Sequence, residues 1–243
     1  FGMIIPNSSI SADKLEPLQK LFVKEKQTWI SNYAWRPAKL FEGANMLLAI
    51  ILSTKSNDKN TLTSIYHKWY NDYRDVLFEN LTYHKATELI QSGSIPKIPS
   101  EKIYGINAKL KNQSGKSTIQ NCFLNRPTSH KFYYFRAVLY WLKILESEPT
   151  FREDGIQTTT GEMKPVYVHS EDLKYILISV LSSTAYFLHY ITWSSCQVIN
   201  SRDFEFPFNF EKLSDPLRKK LVKLGKQLQK DILENSTINL RNY

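Results

Sequence analysis

The chain opens with Phe1-Gly2-Met3-Ile4-Ile5-Pro6, followed by Asn7-Ser8-Ser9-Ile10-Ser11. A short apolar run closed by proline and a cluster of cap-forming residues predicts a buried strand and the turn after it. A core strand needs neighbours on both sides, so a chain opening inside one is expected to be a piece of a longer protein. Ser11 is placed to cap a helix that carries Leu15, Leu18, Leu21 and Phe22 on one face. Trp29 to Trp35 alternates as a strand does. Met46 to Leu52 is nearly all aliphatic and reads as a buried strand, with Phe41-Glu42-Gly43-Ala44-Asn45 forming the turn before it. Strand, helix, strand, strand is the pattern of the closing part of an α/β sheet.

Beyond it, Ser56 to Asn60 is polar and marks a boundary. Ile65, Trp69, Tyr73, Val76, Leu77 and Leu81 recur at spacings of three and four, which predicts an amphipathic helix. Gly93 to Ser100 is a proline-marked connector, and Lys109 to Ser117, with Gly115, reads as a loop. Lys131-Phe132-Tyr133-Tyr134-Phe135-Arg136 opens an aromatic region running to Leu145. Pro149 to Pro165, with Gly155, Thr158-Thr159-Thr160 and Gly161, predicts a loop or hairpin, and Val166 to Val168 a short strand. Glu171 to Trp193 reads as a long apolar helix with a break near Ser182 and Ser183. In the last helix Leu213, Leu217, Leu221, Leu224, Leu228 and Ile232 form one stripe, with Arg218, Lys219, Lys220, Lys223, Lys226 and Lys230 on much of the remainder.

The 243 residues carry a formal charge of +9, which favours anionic partners such as nucleic acid. Cys122 and Cys196 form no CxxC pair and the histidines no metal-binding cluster, so no zinc site is expected. The same cysteine usage suits a reducing cytoplasm. The apolar stretch from Ile176 to Ile191 is broken by serines and His189 and reads as a buried helix rather than a membrane span.

Several of these segments, taken in order, resemble gamma-class adenine-N6 DNA methyltransferases of restriction–modification systems, the Taq-type and type IIG enzymes. Phe1 to Pro6 with Asn7-Ser8-Ser9 is similar to the family's fifth strand and its following loop. Leu40 to Asn45 resembles the loop before the next aliphatic strand, Met46 to Leu52. Tyr66-His67-Lys68-Trp69 with Arg74, Leu77 and Phe78 resembles a helical linker. Val180 to Phe187 and Arg202 to Pro207 resemble parts of a target-recognition domain.

The resemblance implies an α/β fold: the end of a Rossmann-like methyltransferase sheet in residues 1–57, a helical connector in 58–100, and a mixed α+β target-recognition domain with a helical tail in 101–243. It implies S-adenosylmethionine as cofactor in the intact enzyme. The donor-binding loop and the catalytic loop do not occur in this sequence, so no catalytic residue is assigned and the fragment alone is expected to be inactive. The implied partners are double-stranded DNA and a fused or separate endonuclease, with no membrane and a cytoplasmic location.

An enzyme acting on a base must flip it out of the stack and hold it. By the resemblance Phe41 packs on the flipped adenine, with Asn45 and Asn7 as polar edges. Each of the two asparagines is equally well placed simply to form a turn. Lys131, Tyr133 and Arg136 mix cations with aromatic faces, which suits phosphate contact and stacking. Thr159 sits in a loop able to reach a groove, and Arg202 is of the type that pairs with guanine. Two other readings stay open: a non-catalytic DNA- or RNA-binding specificity module, and a helical interaction scaffold.

Overall fold

A computed structural model describes residues 1–24, 26–113, 117–138, 140–153 and 156–237. The turn glycines Gly115 and Gly155 lie outside the described residues. Strands run over Gly2–Pro6 (β1), Lys26–Tyr33 (β2), Leu48–Lys55 (β3), Thr61–His67 (β4), His84–Lys85 (β5), Lys131–Phe135 (β6), Ile144–Leu145 (β7), Phe151–Glu153 (β8), Ile156–Thr158 (β9) and Met163–Tyr167 (β10). The α-helices are Glu16–Val23 (α1), Glu101–Gln113 (α2), Glu171–Leu181 (α3), Thr184–Trp193 (α4) and Asp215–Asn235 (α5). The fold is mixed α/β. None of the described helices is by itself long and apolar enough to cross a membrane.

The chain divides into two compact units: Phe1–Ser114 with Leu188–Asp203, and Gly115–Phe187 with Phe204–Tyr243. In the first unit five strands form one mixed sheet in the order β1-β3-β2-β4-β5. β3 lies between β1 and β2, antiparallel to both, and β4 adds parallel to β2. β2 and β3 are strands as the sequence predicts, although β2 buries Ile30, Ser31, Asn32 and Tyr33 in succession instead of alternating. Ile5, Ile30, Ala49 and Ile51 meet Ile10, Phe22 and Ile95 in one core cluster on the sheet. A second cluster gathers Tyr33, Leu40, Leu48, Trp69 and Leu77.

Three expectations change. Residues 58–100 are not a helical connector: Thr61–His67 is a strand of the sheet, followed by turns. The spacing of Ile65, Trp69 and Leu77 mimics a helix. However, Thr61, Thr63 and Ile65 are β-branched, and pairing with β2 gives Thr61, Leu62, Thr63, Tyr66 and His67 partner residues across the ladder. Ser11 caps no helix; its hydroxyl donates to the Asn7 carbonyl at 3.0 Å, and α1 starts later, at Glu16 with Pro17 in its first turn. β1 is paired along one edge only among the described residues, and Phe1, Met3 and Ile4 are exposed.

The returning segment 188–203 is fastened inside this unit. Lys97 is 2% exposed, and its ammonium donates to the carbonyls of Ser194 (2.7 Å) and Thr192 (3.4 Å). Trp193 donates its indole N–H to Asn107 of α2 at 2.9 Å. His189 has Nδ1 closed to solvent, and burial with the nearby Arg202 charge holds the imidazole down at about 4. His67, stacked on Tyr33, is also pushed down by burial. The unfolded chain therefore takes up protons before the folded one does. Stability from this source is complete above about pH 6.5 and is lost as pH falls toward 4. At about 1.4 kcal/mol per pH unit, His189 accounts for at most about 3 kcal/mol of that loss. Melting temperature followed between pH 7 and 4 should fall, and His189→Leu should flatten the curve; an unchanged slope would remove His189 from the account.

In the second unit β6 is the middle strand of the order β10-β6-β7, and β8 and β9 form the hairpin expected between Pro149 and Pro165. Phe204 is the hub of an aromatic cluster, with ring centroids of Phe123, Tyr134 and Tyr186 at 5.0, 5.1 and 6.4 Å. The long apolar helix pattern breaks as predicted, α3 ending at Leu181 and α4 beginning at Thr184. Ser170 caps α3. α5 packs on α3, with Leu221 and Leu228 half-buried and Leu217 and Leu224 exposed. Its fully buried positions are Gly225 and Gln229. A Cβ on Gly225 would lie 2.3 Å from the Tyr175 carbonyl oxygen, so this crossing requires glycine. The Gln229 side chain accepts from the Glu146 N–H at 2.7 Å and donates to the Ile144 carbonyl at 3.2 Å, tying the helix to β7.

Candidate nucleic-acid interface

Two separate places carry the residues singled out from the sequence. The first is the loop between β2 and β3. Buried Leu40 and Leu47 anchor its two ends in the core. Between them the Ala44 N–H closes a turn on the Phe41 carbonyl at 3.3 Å. Arg74 fixes the entry, donating to the carbonyls of Lys39 (2.5 Å) and Leu40 (3.1 Å). This leaves Phe41 43% exposed and Met46 48% exposed, an aromatic ring and a thioether held outward by a rigid base. Asn45 is exposed in the same loop.

Asn7 stands differently. It is buried, following β1, and its backbone N–H donates to the Leu47 carbonyl at 2.9 Å. Its amide Nδ2 donates to the Ser195 carbonyl at 3.0 Å, while Oδ1 has no hydrogen-bond partner. A buried amide oxygen left without a donor costs about 1–3 kcal/mol. Asn7 thus fastens the base of the Phe41 loop rather than lining its exposed side. The pairing of β1 with β3 brings it there, because Pro6 is opposite Leu48.

The second place is the three-stranded sheet of the other unit. Arg136 follows β6 and is exposed, pairing with Glu162 at 3.4 Å. Its N–H donates to the Glu162 carbonyl at 2.8 Å, so the loop holding Thr159 ends beside it. Phe135 donates to the Lys143 carbonyl at 3.1 Å, and the Lys143 ammonium sits 4.6 Å above the Phe135 ring. Arg136, Lys143 and the exposed Thr159 therefore gather at one end of the sheet. Tyr140 and Trp141, 54% and 56% exposed, lie in the loop between Arg136 and Lys143. Lys131 lies at the opposite end of β6, opposite Tyr167. Its ammonium is 5.4 Å from the ring centre of Tyr133, and the hydrogen bond to that hydroxyl raises its pKa. Tyr133 itself is 6% exposed, so its ring contributes to the core more than to any surface.

Arg202 is engaged within the first unit. Its guanidinium pairs with the Asp13 carboxylate and donates to the carbonyls of Gly93 (3.0 Å) and Ser92 (2.7 Å). Its planar fork matches that set of acceptors.

Trp141 and Lys143 are not singled out from the sequence, where they fall inside the aromatic region running to Leu145. Sequence reasoning also missed the Arg74 clamp, since a helix was expected there. Among the described residues no group of histidine, cysteine and carboxylate side chains could hold a metal ion. Compared with known protein families, curated proteins and solved structures, the chain matches none.

Proposed function

We propose that the chain is the C-terminal part of a site-specific DNA adenine-N6 methyltransferase of a restriction–modification system. On this reading the first unit is the closing part of a Rossmann-like methyltransferase sheet. The second is the target-recognition domain. The observation that carries the reading is the Phe41 loop. It leads into β3, the strand paired with β1, stands on buried leucines and an arginine clamp, and holds an aromatic face outward. A flipped base needs such a face, and Asn45 beside it offers an amide for the base edge. Asn7 keeps the loop in place from below.

On this reading the donor site and the catalytic loop belong to a segment before Phe1. That segment would cover the free edge of β1 and its exposed Phe1, Met3 and Ile4. An unpaired apolar edge of this kind is a template for another strand. The cytoplasmic location and a partner endonuclease belong to the same proposal.

In the second unit Arg136, Lys143, Thr159 and Trp141 are the group proposed to meet DNA, with cations on phosphates and an exposed ring beside the bases. Lys131 would contact the backbone at the other end of the sheet. The test is transfer of labelled methyl groups from S-adenosylmethionine into duplex DNA by the intact protein. Incorporation is expected on a subset of sequences. No incorporation on any duplex would contradict the proposal.

A further inference from the structure

α5 has three sides. Its buried side is Gly225 and Gln229, with Arg218, Val222 and Ile232 half-buried on the same line. Leu217 and Leu224 are exposed on one flank. On the other flank Lys219, Lys223, Lys226 and Lys230 are exposed in a row with spacings of four, three and four. At 1.5 Å of rise per residue this row is about 16 Å long.

The lysine flank borders an open groove of about 550 Å³ lined by Asp172, Asp215, Arg218, Lys219, Val222, Lys223 and Lys226. Its two carboxylates sit in the first turns of α3 and α5, where they favour the helix N-termini. Arg218 is occupied: it donates to the carbonyls of Leu213, Phe210 and Glu211 and stacks on the Phe210 ring. Lys226 is 3.8 Å from Glu171, an exposed pair that exchanges readily. Lys219 and Lys223 have no carboxylate within ion-pair distance among the described residues.

We propose that this groove carries the phosphate backbone of duplex DNA, with Lys219 and Lys223 as its main contacts and Lys226 joining them. The inference rests on the DNA reading above and adds a second contact surface to it. The arrangement is a row of mobile charges on a rigid helix, open along its length. A small anion would instead need converging, buried donors. A membrane surface would need a broad apolar face beside the lysines; along α5 Leu233 is the one large exposed apolar side chain on that flank, and Leu217 and Leu224 lie on the opposite one. A duplex offers a phosphate every ~3.4 Å of axis on each strand, so a row of this length spans several.

The experiment is a fluorescence-anisotropy titration of a labelled duplex of about 30 base pairs with the 243-residue chain, between about 50 and 200 mM salt. Each phosphate contact adds about 0.9 to the slope of log affinity against log salt. The double variant Lys219→Gln, Lys223→Gln should lower the magnitude of the slope by about 2 and weaken binding about tenfold or more. Lys219→Arg, Lys223→Arg should restore both. The control Lys102→Gln, Lys109→Gln, on α2, should change neither. Circular dichroism of all variants should match, since glutamine and arginine are good helix formers at exposed positions. Duplex binding with an unchanged slope in the α5 variant, or an equal fall in the α2 variant, would overturn the groove and leave the methyltransferase reading standing. Tight binding to anionic vesicles with no binding to duplex at low salt would overturn both.

Discussion

Gly93→Ala is expected to destabilise the first unit by about 4 kcal/mol, combining backbone strain with overpacking. Gly93 has φ +72°, in the left-handed region that costs an ordinary residue about 1–2 kcal/mol. An added Cβ would lie 2.7 Å from the Asp13 Cα and closer still to the Asp13 carboxylate. Backbone cannot yield as a flexible side-chain tip does, so the Gly93 turn or the 3-10 turn Asp13–Leu15 before α1 must move. Either movement disturbs the Asp13–Arg202 pair and the Gln19 amide that donates to the Gly93 carbonyl at 3.3 Å. Chemical denaturation read by circular dichroism measures the effect. A loss below about 1 kcal/mol would show that the turn relaxes freely and that the Arg202 clasp contributes little.

The second large effect is on activity. Phe41→Ala in the intact protein should reduce methyl transfer about 10- to 100-fold, since base–aromatic stacking is worth about 1–3 kcal/mol. Stability should change little, because Phe41 is an exposed loop residue between buried anchors. Overall affinity for duplex at low salt should also hold, since phosphate contacts dominate it. Phe41→Tyr or Phe41→Trp keeps an aromatic face and should retain most activity. Full activity in Phe41→Ala would remove the ring from the pocket.

Much of this architecture is legible in the sequence where one period runs unopposed. β2, β3, the break between α3 and α4, the β8–β9 hairpin and the length of α5 all follow from alternation, helical spacing or turn residues. The misread segment is the one where two periods compete. Ile65, Trp69, Tyr73 and Leu77 fit a helix, but partner strand β2 decides between helix and strand, and it lies about 30 residues earlier in the chain. The leucine stripe of α5 is used only in part, with Leu221 and Leu228 half-buried and Leu217 and Leu224 exposed. Close helix crossing at Gly225 depends on the absence of a side chain, which hydropathy does not register. Arg202 and Arg136 look alike in sequence, yet one is closed into a clasp and the other exposed at a sheet end. The Phe41 loop was found because its punctuation is local. What the sequence does not contain is the clamp, since Arg74 reaches Leu40 across 34 positions.

The central claim is that the Phe41 loop belongs to an adenine pocket. The most direct measurement is the identity of the modified base after the intact protein has acted on duplex DNA with S-adenosylmethionine. Nucleoside mass spectrometry should find N6-methyladenine, sharply reduced with Phe41→Ala and retained with Phe41→Trp. C5-methylcytosine in its place, or no modified nucleoside at all, would contradict the account.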